Sequence, residues 1–264
     1  MPRAIPALSL ARLSLAQWYV ISLRPLGLHA GVRRAAAKFG ARTFALSTLT
    51  IEPLPATTAL KKALSCPVVI VTSPNAARLA STQHPLRCRR GQRWFAIGPG
   101  TAAALRRHGI RDAAIPAQGA DSDALLDLPA LAQMAGQQVG LVTAPGGRGQ
   151  LAKVLAERGA KVRLAEVYRR VALSPAPHRL RAMAALPERT ALLVSSGEAL
   201  GNLWRSLSKS ERAGLLARPC VVSSERLAEQ TRALGFHDTR IATSALPADM
   251  LAALSAHADA RHFR

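Results

Sequence analysis

Residues 20–42 read VISLRPLGLHAGVRRAAAKFGAR, and residues 139–161 read VGLVTAPGGRGQLAKVLAERGAK. They align without a gap at an offset of 119 (139 − 20), which also relates Gly40 to Gly159. Each opens as a short apolar run, crosses a loop, and continues with apolar residues at three- and four-residue spacing, as at Leu151, Val154 and Leu155. That pattern predicts strand, loop and helix. Gly159 follows Glu157-Arg158 where a helix C-terminal stop belongs. A second pair matches in the same way: PVVIVTSPNAARLA from Pro67 and TALLVSSGEALGNLW from Thr190. Both are β-rich runs that end in small polar residues and open a helix. One more such unit follows each, RWFAIGPGTAAALRRHGI and then RPCVVSSERLAEQTRALGF.

Strands alternating with helices predict the α/β class, as two similar lobes with open parallel sheets flanked by helices. TLTIEPLP near residues 48–55 and AEVYRRVALSPAP near 165–177 read as strand-like connections, so two links join the lobes rather than one. That organisation predicts a two-stranded linker with a cleft between the lobes, a common place for a site. In such sheets ligands sit at the carboxyl ends of the strands, where the small-residue turns fall.

Composition narrows the partners. The formal charge is +21, and Glu52 is the only acid before Asp112. Such a field draws in anions, from nucleic acid to a small polycarboxylate or phosphate. The basic residues rarely cluster, and no nucleic-acid-binding motif accompanies them. Cys66, Cys88 and Cys220 are far apart and odd in number, which offers neither a disulfide framework nor a zinc spacing and suits a cytoplasmic location. The seven histidines show no paired ligand spacing and read as surface or core residues. No apolar run is long enough for a membrane span. Residues 1–17, basic and twice interrupted by proline, read as a flexible leader.

The turn Gly98-Pro99-Gly100-Thr101 ends an apolar run and opens a helix, the arrangement that holds an anion. With Ala103 it formally matches the dinucleotide fingerprint G-x-G-x-x-A, as does Gly147-Arg148-Gly149 with Ala152. Geometry argues against that reading. Thr143-Ala144-Pro145-Gly146 separates the second motif from its strand, and the first falls late in its lobe. What remains is a set of short donors at helix N-termini: Ser73, Asn75, Thr101, Ser196, Gly197, Ser223 and Ser224. Each alone reads as a simple N-cap. Together they suit a ligand with several carboxylates, with Arg148 as a charged clamp. Of two tyrosines, Tyr168 lies in the connection beside Arg169 and Arg170. Buried aromatic packing is its bland reading, and its place at the presumed cleft argues for a role.

The ordered set VTSPNAA, FAIGPGTAAALRRHG, VGLVTAPGGRGQLAKVLAERGAKVRLAEVYRR, LLVSSGEAL and VVSSERLAEQTRALGF resembles the uroporphyrinogen-III synthases, over about residues 20–254. The resemblance implies a discontinuous first domain (18–48 plus 173–264) and a second (49–172) that includes the linker strands. It implies a cofactor-free, metal-free lyase that cyclises hydroxymethylbilane, an acidic linear tetrapyrrole, with loss of water and inversion of the last ring through a spiro intermediate, in heme biosynthesis. By the same resemblance Tyr168 is the cleft tyrosine that assists departure of the hydroxyl. Ser73, Asn75, Thr101, Gly147, Arg148, Ser195, Ser196, Gly197, Ser223 and Ser224 line the substrate. It further implies a monomer, with possible hand-off of substrate from hydroxymethylbilane synthase. The first turn departs from the family, reading Leu23-Arg24-Pro25 where many bacterial members have Thr-Arg-Pro. Two other classes compete: a two-lobed nucleotide- or small-anion-binding protein without turnover, and a basic nucleic-acid binder with steep salt dependence.

Overall fold

The computed structural model describes residues 15–117, 119, 121–146 and 150–262. In chain order its strands are β1 (Tyr19–Ser22), β2 (Arg42–Ala45), β3 (Leu49–Pro53), β4 (Val68–Val71), β5 (Arg93–Ala96), β6 (Ala113–Ala114), β7 (Gln138–Thr143), β8 (Lys161–Glu166), β9 (Tyr168–Ala172), β10 (Thr190–Val194), β11 (Cys220–Val222) and β12 (Thr239–Ile241). The helices are α1 (Ala30–Lys38), α2 (Thr57–Leu64), α3 (Pro74–Gln83), α4 (Pro99–Arg107), α5 (Ser122–Leu126), α6 (Gln150–Glu157), α7 (Pro177–Ala184), α8 (Gly197–Ser206), α9 (Lys209–Leu216), α10 (Glu225–Ala233) and α11 (Pro247–His262). The repeat read from the sequence is present in three dimensions. Adding 119 to Tyr19 and Arg42, the first residues of β1 and β2, gives Gln138 and Lys161, the first residues of β7 and β8. Gly40 and Gly159 both adopt positive φ, 78° and 83°, which only glycine enters without strain.

The chain divides into two compact units, Met1–Leu49 with Ala172–Arg264, and Thr50–Val171. Each holds a five-stranded sheet whose described pairs are all parallel, ordered β12-β11-β10-β1-β2 in the first and β6-β5-β4-β7-β8 in the second. The orders superimpose when β7 and β8 stand for β1 and β2, and β4, β5 and β6 for β10, β11 and β12. The second unit is therefore a circular permutation of the first plan.

Burial follows from strand position. β4 (VVIV) and β10 (TALLV) are buried at every residue, as expected of central strands covered on both faces. Alternation then sorts side chains between layers. In the second unit Val69 and Val71 meet α2, α3 and α4, while Val68 and Ile70 meet α5 and α6. In the first unit Leu192 and Val194 meet α7, α8 and α10, while Ala191 and Leu193 meet α1 and α11.

Strands β3 and β9 form a separate two-stranded sheet. Leu54 N–H donates to Val167 O at 3.0 Å and Leu173 N–H to Thr48 O at 2.9 Å, so the pair is antiparallel. Thr48 is fully buried: its hydroxyl donates to Ala199 O at 2.8 Å, and its carbonyl accepts from Asn202 Nδ2 at 3.0 Å. Residues 1–14 of the expected leader lie outside the described residues. Its last part needs correction. Leu15 is fully buried with Trp18 and Val20, and its N–H donates to Phe39 O at 2.6 Å. Burial of such a side chain contributes roughly 1.5–3 kcal/mol toward ordering the chain there.

Candidate functional site

In the second unit the small-residue turns lie at one edge, because parallel strands all end on the same side. Ser73 follows β4, Gly98 follows β5 and Thr143 ends β7, and these three strands are neighbours. Ser73 is the N-cap of α3, with its Oγ accepting from Ala76 N–H at 3.0 Å and Pro74 filling the first helical position. The same oxygen lies 2.9 Å from Tyr168 Oη. Tyr168 starts β9 and is anchored through its neighbour Val167, whose N–H donates to Thr143 O at 3.0 Å while its carbonyl accepts from Leu54 N–H. The ring is 3 % exposed, packed in the same cluster as Val71, Ala76 and Ala144. Tyr168 is thus a core aromatic ring whose hydroxyl reaches the turn after β4.

Thr72 and Thr143, not singled out from the sequence, join this group through a 2.7 Å hydrogen bond from Thr72 Oγ1 to Thr143 Oγ1. Each is the polar residue at the end of an apolar strand, a signal the sequence carried. Arg169 pairs with Glu52 at 2.7 Å, but both side chains are well exposed, so the pair contributes at most about 1 kcal/mol. Asn75 is half-buried in the first turn of α3. Thr101 is 2 % exposed, and its N–H donates to Gly98 O at 3.1 Å. Gly147 and Arg148 lie outside the described residues.

The first unit repeats the arrangement at the ends of β10 and β11. Ser195 and Ser196 follow β10, and Ser196 caps α8 by accepting from Ala199 N–H at 3.3 Å. Gly197 sits under Gln230. A Cβ there would fall 2.3 Å from Gln230 Oε1, and Gln230 Nε2 donates to Gly197 O at 3.2 Å. Ser223 and Ser224 follow β11, and Ser224 is the N-cap of α10 without a side-chain cap bond. Of the three N-cap serines among the sequence-predicted site residues, Ser73 and Ser196 cap with their side chains, and Ser224 does not. Leu23, at the family's threonine position, is a core residue at 5 % exposure. Among the described residues no three His, Cys, Asp or Glu side chains gather as a metal cluster would, and no helix is long and apolar enough to cross a membrane.

A family model described as Uroporphyrinogen-III synthase HemD matches residues 32–252. The uroporphyrinogen-III synthase of Salmonella typhimurium LT2 is 38% identical over 158 residues, which span 58% of this chain and 63% of that protein. The Escherichia coli K12 enzyme is 36% identical over 155 residues, spanning 58% and 62%. The match thus covers a little under two thirds of these relatives' own length. A crystal structure of mutant uroporphyrinogen III synthase from the extremely thermophilic bacterium Thermus thermophilus shares the fold, with a TM-score of 0.60 at 18% identity, covering 94% of this chain and 100% of that one. The Helicobacter pylori 26695 uroporphyrinogen-III synthetase gives 0.57 at 16%, covering 90% and 99%. The permuted pair of α/β units, the antiparallel linker and the match across residues 32–252 lead to one statement: this chain belongs to the uroporphyrinogen-III synthase family.

Proposed function

We propose that this chain is a uroporphyrinogen-III synthase, a lyase that closes hydroxymethylbilane to uroporphyrinogen III. The observation that carries the reading is the 2.9 Å contact between Ser73 Oγ and Tyr168 Oη, in a chain of this family. Ser73 Oγ already accepts from Ala76 N–H, at the positive end of a ten-residue helix. When Ser73 Oγ–H donates its hydrogen bond to Tyr168 Oη, the phenol's own O–H is left to point at the ligand. Tyr168 is the donor that lets the bilane's hydroxyl leave as water. The resulting cation is stabilised by its own pyrrole, so no strong nucleophile is required of the protein. The carbon–oxygen bond breaks and the last ring attacks through its substituted carbon to form the spiro intermediate. Rearrangement inverts the ring, and the macrocycle loses one proton, equal to the one taken up with the hydroxyl. The protein's larger task is to hold the chain folded for that closure.

Ser73, through its main chain since its hydroxyl proton is committed to Tyr168, Asn75, Thr101, Gly147 and Arg148, with Ser195, Ser196, Gly197, Ser223 and Ser224, are the proposed partners of the carboxylates. The reaction as proposed proceeds without metal or cofactor, in a cytoplasmic monomer, on bilane released or handed over by hydroxymethylbilane synthase. The test is a coupled assay. Porphobilinogen and hydroxymethylbilane synthase are incubated with and without this protein, and the oxidised isomers are separated. Isomer III in place of isomer I is the expected result. With Tyr168→Phe the rate drops by about an order of magnitude or more, as loss of a positioned acid requires. Isomer I alone from folded protein would leave a two-lobed anion binder without turnover.

A further inference from the structure

A cavity of about 410 Å³ opens in the first unit, between the loop after β1, the loop after β2 and the chain entering α7. Two guanidinium groups line it, Arg33 and Arg179, and none of its described lining residues is acidic. Arg179 is held in place: its Nη2 donates to Ala45 O at 2.6 Å and its guanidinium lies 4.5 Å from the Phe44 ring centre. Arg33 is exposed. Arg24, on the same loop, is half-buried. Its described side-chain bond is to a carbonyl, Ala245 O, and burial lowers its pKa. His29, also lining the cavity, adds no compensation. Ser47 Oγ donates to Arg24 O at 3.0 Å and so accepts from His29 Nε2–H at 2.8 Å, while His29 Nδ1 lies in hydrogen-bond contact with Ser22 Oγ at 3.0 Å. Burial, and then Arg33 and Arg24, lower the pKa of the ring. A fixed, half-buried guanidinium and an exposed one, in a pocket whose described lining holds no carboxylate, create a standing attraction for an anion.

The remaining walls are apolar. Leu26 is 60 % exposed, unusual for a leucine, and Leu46 and Leu173 face the same space. At roughly 30 Å³ per water the volume equals about fourteen waters, the size of one substituted ring. We infer that this pocket binds a carboxylate carried on a small apolar body, with Arg33 and Arg179 taking the carboxylate and Leu26 and Leu173 the body. The carboxylate has two sources, a free acid or an acid-bearing pyrrole of the bilane, and the second rests on the synthase reading.

Phenylacetate is the probe, titrated into the full chain labelled with ¹⁵N-histidine, the His29 ring signals being assigned with His29→Asn. Saturable shifts of the His29 ring are expected. They should need about tenfold more phenylacetate in Arg33→Gln, whose exposed side chain can be lost without harm to the fold, and in Arg179→Gln. The proposal fails if no saturable shift occurs, if 2-phenylethanol shifts the ring equally, if inorganic phosphate binds as well, or if Arg33→Gln binds as tightly. The sources separate in steady-state kinetics with the bilane. A tenfold higher KM at constant kcat in Arg33→Gln identifies the substrate's own carboxylate. An unchanged KM, with phenylacetate affinity lost, identifies a free acid. The titration reads binding directly, so it stands even where the coupled assay shows no isomer III.

Discussion

Ser73 serves two partners at once, Ala76 N–H and Tyr168 Oη, and its replacement separates structure from chemistry. Ser73→Ala is expected to lose a helix cap of about 1 kcal/mol. It should also lower kcat by roughly tenfold with little change in KM, because Tyr168 loses its orientation. Ser73→Thr keeps a hydroxyl at the cap and should recover most of the rate. A parallel loss of kcat in Ala and Thr variants would make Ser73 a packing residue only. The cysteines give a second residue-scale prediction, since the thiolate is the reactive form. Burial pushes the Cys220 thiol up to about 12 and raises Cys66, whereas Cys88 is exposed. Ellman's reagent at pH 8 should therefore titrate one thiol in the native protein and three after denaturation.

At the scale of elements, the tightest constraint is Gly140 in β7. A Cβ there would fall 1.9 Å from Ala63 O and 2.6 Å from Ala63 C, both backbone atoms of α2. Neither can move without shifting the helix, so Gly140→Ala is expected to cost about 3 kcal/mol. The melting temperature should fall by on the order of 10 °C. The start of α9 makes a pH prediction. Ser208 and Glu211 form a capping box, with Ser208 N–H donating to Glu211 Oε2 at 2.8 Å. These bonds hold the Glu211 pKa below its ordinary value of 4.5. A depressed folded pKa means that the contribution is fully present above the unfolded value and is lost as pH falls through the folded one. Melting curves of wild type and Glu211→Gln should differ slightly at pH 7 and converge as the pH is lowered well below 4.5. A difference that persists in acid would assign the effect to the neutral hydrogen bonds.

At the scale of the whole molecule, the same sheet order is built from two chain orders. The second unit enters its sheet at the strand equivalent to β10, and ends with the pair equivalent to β1 and β2. Its ends meet in the linker, where Leu54 N–H donates to Val167 O at 3.0 Å, and both of its hydrophobic clusters lie within it. Residues 50–171 expressed alone are expected to unfold cooperatively in urea, with far-UV dichroism and tryptophan fluorescence changing together. Non-coincident transitions would mean that its core depends on the rest of the chain. The Thr48–Leu173 hydrogen bond predicts that the first unit tolerates replacement of residues 50–171 by a short turn.

Periodicity in the sequence determined the α/β class, the glycine stops and the 119-residue repeat, because each depends on neighbours a few positions apart. It also marked the polar residues that end buried strands, since strand and turn chemistry are local. Strand order was decided only in three dimensions. The repeat is compatible with either chain order, and packing on both faces of each sheet selects one. The Ser73–Tyr168 contact spans 95 residues, and no residue type or spacing distinguishes a serine that only caps from one that also holds a phenol. The pairing of His29 has the same origin: a loop and a strand end bring Ser22 and Ser47 to its two nitrogens. Local pattern is written in the order of residues, whereas desolvation and hydrogen-bond pairing depend on which distant segments the core brings together.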